Sequence, residues 1–76
     1  MAKLTQGATG DSPLNPLEVK IIKKVCEEKS NQEIAQELFY SIRSIETYRS
    51  AIMQKIGAKS VAGVVMYAVR NGLVNY

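Results

Sequence analysis

The sequence predicts an all-α domain of four helices, in which the second and third are joined by a tight turn as a helix-turn-helix. Three observations carry this expectation. Polar capping residues recur at Asn15, Ser30, Ser41 and Ser60, each just ahead of a segment whose apolar residues are spaced three or four apart. Strand-like alternation is absent, and so is any internal repeat. The 76 residues suffice for one small domain with a modest core.

Residues 1–13, MAKLTQGATGDSP, are polar, rich in Gly, Ser and Thr, and aperiodic. They read as a flexible leader or inter-domain tether ahead of a domain spanning 14–76. The first helix opens at LNPLE. Asn15 is the cap, Pro16 suits the first helical position, and Glu18 completes a capping box. Leu14 and Val19 can staple the entry, and Leu17, Ile21, Ile22, Val25 and Cys26 form an inner face that ends near Glu27–Lys29. As a lone cysteine, Cys26 forms no internal disulfide and reads as a small buried hydrophobe.

The second helix opens at SNQE, where Ser30 and Glu33 make another capping box. Ile34, Ala35 and Leu38 face inward, and the helix stops at Phe39–Tyr40. Ser41 caps the third helix, about 42–56, with Ile42, Ile45, Ile52 and Ile56 as its buried stripe and Gly57 as its terminator. The fourth runs from its cap at Ser60 to Arg70 and ends at Asn71–Gly72, after which Leu73 and Val74 can fold back on the core.

The far side of the third helix poses the functional question. At about 100° per residue, Ile52 and Ile56 lie within about 20° of Ile45, whereas Arg43, Thr47, Ser50 and Gln54 project about 140–200° away. Glu46 and Ala51 flank this polar face. The major groove of DNA, about 12 Å wide, admits one helix, and hydroxyls, amides and carboxylates read base edges there. Arg43 and Arg49 can reach phosphates, and the positive helix end favours phosphate near Ser41–Ser44. The charge distribution agrees. Leu14–Tyr40 holds four lysines against five glutamates, but Ser41–Tyr76 holds five basic residues against Glu46 alone. A basic half points to an anionic partner.

Taken together, the L-x-P-x-E opening, SNQEIA, SIRSIETYR, I-x-x-K-I-G and YAVRNGL resemble the LuxR/NarL-type (GerE-like) helix-turn-helix domain of bacterial transcription regulators. The likeness covers about Leu14–Val74. It implies a four-helix domain with the third helix in the major groove of double-stranded DNA, homodimeric binding to paired half-sites, and dimer contacts through the fourth helix. Such domains commonly form the C-terminal output of a two-component response regulator. Carried over by position, Glu46, Thr47 and Ser50 match base-facing residues, and Arg43, Ser44, Tyr48 and Arg49 match residues near the DNA backbone. Lys59 lies where a loop residue adds a phosphate contact. At Glu46, direct readout of a cytosine amino group stands beside a role in discouraging wrong sequences. Two positions depart from the family pattern. Tyr48 stands where His is frequent, and either bonds a phosphate or packs on the first two helices. Glu28 stands where Gly is frequent, at a helix end, where left-handed backbone costs roughly 1 kcal/mol unless the turn adjusts.

The fourth helix is too apolar to bury completely in so small a domain. Val61, Val64, Met66 and Tyr67 are therefore expected at a pairing surface with a second copy. A protein-docking module is the rival reading of that surface, and contact with RNA polymerase is compatible with DNA binding. Catalysis is not expected: His is absent, as are a Gly-rich phosphate loop and a zinc-holding Cys cluster. No cofactor, metal or small-molecule ligand is expected, nor a membrane span, because no apolar run approaches the roughly 18 residues needed. The cytoplasm is the expected compartment.

Overall fold

The computed structural model describes residues 14–74. The leader expected over 1–13 lies outside the described residues. Four helices follow in order: α1 (Pro16–Cys26), α2 (Asn31–Leu38), α3 (Ile42–Ile56) and α4 (Val61–Arg70).

Each helix begins at the expected cap. The Asn15 side-chain oxygen accepts from the Glu18 N–H at 2.9 Å, and the Asn15 N–H donates to the Glu18 carboxylate at 3.0 Å. Ser30 and Glu33 repeat the reciprocal pair at 3.1 and 2.8 Å. The Ser41 hydroxyl oxygen accepts from the Ser44 N–H, and that of Ser60 from the Gly63 N–H. These bonds satisfy backbone donors that an isolated helix start leaves open.

The four ends are also closed alike. A residue with positive φ reverses the chain, and the next N–H returns to a carbonyl five residues earlier. Lys29 bonds Lys24, Tyr40 bonds Ala35, Ala58 bonds Met53, and Leu73 bonds Ala68, at 2.8–3.2 Å. Gly57 and Gly72 occupy two of the reversal positions at φ +71° and +70°, which glycine adopts freely. Glu28 and Phe39 occupy the others at φ +66° and +62°. The turn at Glu28 does not adjust, and each of these side chains costs on the order of 1 kcal/mol in this conformation.

α1 packs chiefly on α4 and α2 on α3, and α3 also meets α1 and α4. Ile21, Ile22, Ile34 and Ile45, one or two from each of the first three helices, are fully buried at the centre. Val25, Ala35, Ile52, Val64 and Ala68 surround them, and Leu73 and Val74 fold back on this core as expected. Gly63 permits a close approach: a Cβ there would lie 3.1 Å from that of Ala58.

Two expectations are corrected. Ile42 is 45% exposed rather than part of the buried stripe. It is the first residue of α3, about 60° off the Ile45 direction, at a point along the rod that the core does not reach. Val64 is 3% exposed and sits in the core, so it is not part of the open surface of α4. The α1–α4 packing takes up that side of the helix.

Two sets of charges tie the helices together. Glu37 on α2 receives Lys24 at 2.6 Å and Lys29 at 3.0 Å. Glu18 on α1, buried, receives Lys55 from the end of α3.

Candidate nucleic-acid interface

Ile45 and Ile52 pin one side of α3 into the core, at 0 and 2% exposure. The helical period then dictates what the other side shows. Arg43, Glu46, Thr47, Ser50 and Gln54 are all exposed, and Ala51 beside them is half-buried. This outward strip runs nearly the length of a fifteen-residue rod. It carries a guanidinium, two hydroxyls, an amide and a carboxylate, the donor and acceptor types that pair with base edges and phosphates.

At the N-terminal end, Ser41, Arg43, Ser44, Thr47 and Tyr48 line an open, shallow depression. The Ser41 hydroxyl donates to that of Ser44 at 2.9 Å while accepting the Ser44 N–H at 3.1 Å. The Ser44 side chain is thus held in place, and its own O–H remains able to donate outward. The depression lies at the positive end of the α3 dipole, beside Arg43, where an anionic oxygen is favoured.

The remaining expected residues are placed differently. Tyr48 is half-buried and packs edge-on against Tyr40, with ring centroids 5.8 Å apart and planes at 71°. The ring thus packs on the turn between α2 and α3 and against the edge of the core. Arg49 is also half-buried, and its guanidinium donates to the Asn31 side-chain oxygen at 2.5 Å, at the start of α2. One of its five N–H donors is spent on holding α2 against α3. Lys59 is exposed in the loop between α3 and α4, beside the Ser60 cap.

On α4 the open apolar surface consists of Val61, Met66 and Val69, at 47, 57 and 48% exposure, with Tyr67 half-buried beside them. Val69 takes the place expected for Val64. Three further residues that bear on the site escaped sequence reasoning as partners: Asn31, which orients Arg49; Lys55, which neutralises Glu18; and Phe39, 93% exposed in the turn between α2 and α3. The first two are long-range pairings with no local signature. Phe39 was legible only as the residue at which α2 stops.

Among the described residues no group of three or more His, Cys, Asp or Glu is placed to hold a metal ion, and no helix is long and apolar enough to cross a membrane.

The sequence matches the model of the family described as bacterial regulatory proteins, luxR family, over residues 12–68. It is 35% identical over 66 residues to the transcriptional regulatory protein MctR of Rhizobium johnstonii, a match covering 87% of this chain and 31% of that protein. It is 33% identical over 63 residues to the oxygen regulatory protein NreC of Staphylococcus carnosus, covering 83% of this chain and 29% of NreC. The chain thus spans under a third of the length of these relatives.

Proposed function

We propose that this chain, which belongs to the luxR family of bacterial regulatory proteins, is the part of a transcription regulator that holds double-stranded DNA, with α3 lying in the major groove. One observation supports this above the others. The helix whose Ile45 and Ile52 are locked in the core exposes Arg43, Thr47, Ser50 and Gln54 directly opposite. A DNA-binding regulator domain is not an enzyme, and the family and both relatives agree with that.

In this reading Thr47, Ser50 and Glu46 face base edges. Arg43, Ser44 and Lys59 engage phosphates, with Tyr48 and Arg49 at the margin, their side chains partly committed to internal contacts. Two copies bind paired half-sites and meet through Val61, Met66 and Tyr67 of α4. In this reading the domain is the output part of a two-component response regulator working in the cytoplasm, and the small share of its relatives' length that it covers supports a longer parent chain. The outer faces of α1 and α2 then stay open to protein partners, RNA polymerase among them.

Selection from random duplexes tests the reading, repeated with single alanine variants over a salt series. Thr47→Ala and Ser50→Ala are expected to change the recovered sequence more than the affinity for bulk DNA. Arg43→Ala is expected to weaken binding to all sequences and to reduce the salt slope by about 1. Unchanged duplex binding in all three variants would remove α3 from the groove.

A further inference from the structure

Phe39 is the most exposed large apolar residue described, at 93%, and one of only two described non-glycine residues with positive φ. It therefore forgoes the gain of burying an aromatic ring and also holds a side chain in left-handed backbone. Asn or Gly would close the same turn without either. Within the described structure Phe39 is not among the residues packed on the core. Its neighbours hold it rigidly. The Tyr40 N–H is bonded to the Ala35 carbonyl at 2.9 Å, the Tyr40 ring packs on Tyr48, and Ser41 caps α3. Its backbone is thus set two residues before the cap of α3, where Ser41 lines the depression together with Arg43 and Thr47.

We infer that Phe39 is a DNA contact residue that packs its ring on the deoxyribose face of the groove wall, beyond the N-terminal end of α3. The inference rests on the placement of α3 in the major groove. An α-helix with its side chains, about 10–12 Å across, fills a groove about 12 Å wide. A ring mounted on the turn outside the rod therefore meets the wall, made of sugar and phosphate, rather than the base edges. Sugar carbons offer an apolar surface of one-ring size. The exposed apolar surface here, Phe39 with half-exposed Tyr40 and Ile42, matches one such contact and falls well short of the roughly 800 Å² per side of a stable protein interface. Such a contact adds affinity without reading sequence and without displacing counterions.

That combination gives Phe39 a signature distinct from both Arg43 and Thr47. The test uses Phe39→Asn, which suits left-handed backbone, and Phe39→Leu, which keeps an apolar side chain. Both are titrated against the duplex recovered by selection and against random-sequence duplex. Phe39→Asn is expected to melt about 5 °C higher yet bind both duplexes about tenfold more weakly, with the salt slope unchanged. Phe39→Leu is expected to stay within about twofold of the parent. Parental binding by Phe39→Asn, while Arg43→Ala and Thr47→Ala are impaired, overturns the inference and leaves the groove placement standing. Parental binding by all three variants overturns the groove placement as well. A loss seen only in association with another protein, with duplex binding intact, assigns the ring to a protein contact and also overturns it.

Discussion

The Lys55 ammonium donates to both carboxylate oxygens of Glu18, at 3.0 and 2.8 Å, joining the start of α1 to the end of α3 across 37 positions of sequence. Glu18 is buried, and its carboxylate also accepts the Asn15 N–H of its own cap. Burial, the strongest single influence, pushes its pKa up. The Lys55 hydrogen bonds, the Asn15 N–H and the Lys55 charge together outweigh this and leave it below the ordinary 4.5. A carboxylate lowered on folding stabilises the native state fully above its unfolded value near 4.5, and that contribution fades as pH falls through the lower folded value. Urea unfolding of the parent should therefore weaken on acidification below about pH 4.5, and Glu18→Gln should lack this part of the acid dependence. Lys55→Met strands the buried carboxylate. Because Lys55 is itself partly exposed, the expected cost is roughly 2 kcal/mol, below that of breaking a fully buried pair.

The Arg49–Asn31 hydrogen bond predicts that one part of the Arg49 effect on DNA binding is indirect. Asn31→Ala leaves the charge on Arg49 in place but frees the guanidinium. A double-mutant cycle by chemical denaturation should show a coupling of about 1 kcal/mol between the two residues. In DNA titrations, Asn31→Ala should leave the salt slope unaltered, whereas Arg49→Ala should lower it if the remaining N–H donors reach phosphate. A coupling near zero would show that the bond does not hold the two helices together.

Glu28 and Phe39 occupy equivalent places at the ends of α1 and α2, but only Phe39 lies in the turn that leads into α3, the helix proposed for the groove. Glu28→Gly should relieve the left-handed strain and stabilise the domain by about 1 kcal/mol, with duplex affinity unchanged. Thermal melts and DNA titrations on the same preparation check both halves of this expectation. Opposite outcomes for Glu28→Gly and Phe39→Asn on DNA would separate strain kept for a contact from strain that is merely tolerated.

Opposite sides of α4 should respond in opposite ways to charge. Val64→Asp places a carboxylate in the core and should leave little folded protein by circular dichroism. Met66→Glu falls on open surface and should fold normally. If two copies pair through this face on DNA, sedimentation of the Met66→Glu complex should show one copy per duplex under conditions where the parent shows two. Two copies in both cases would place the pairing surface elsewhere.

The legible parts of this protein are the local ones. A cap and its answering residue sit three positions apart at Asn15–Glu18 and Ser30–Glu33, and a helical face repeats within one or two turns, so a short window contains both partners of each interaction. For that reason the four helices, their starts, the glycine ends at Gly57 and Gly72, and the outward strip of Arg43, Thr47 and Ser50 could be read from residue order alone. Periodicity states only that one side of a helix is apolar; it does not say how much of that side a neighbour will cover. Whether Ile42 lay open and Val64 closed was settled by where the core ends along α3 and by the docking of α4 on α1. The same holds for Glu18 with Lys55, Asn31 with Arg49, and the ring of Phe39 left standing in solvent. Those outcomes depend on distances between helices, which the packing of a shared core sets and no single stretch of chain encodes.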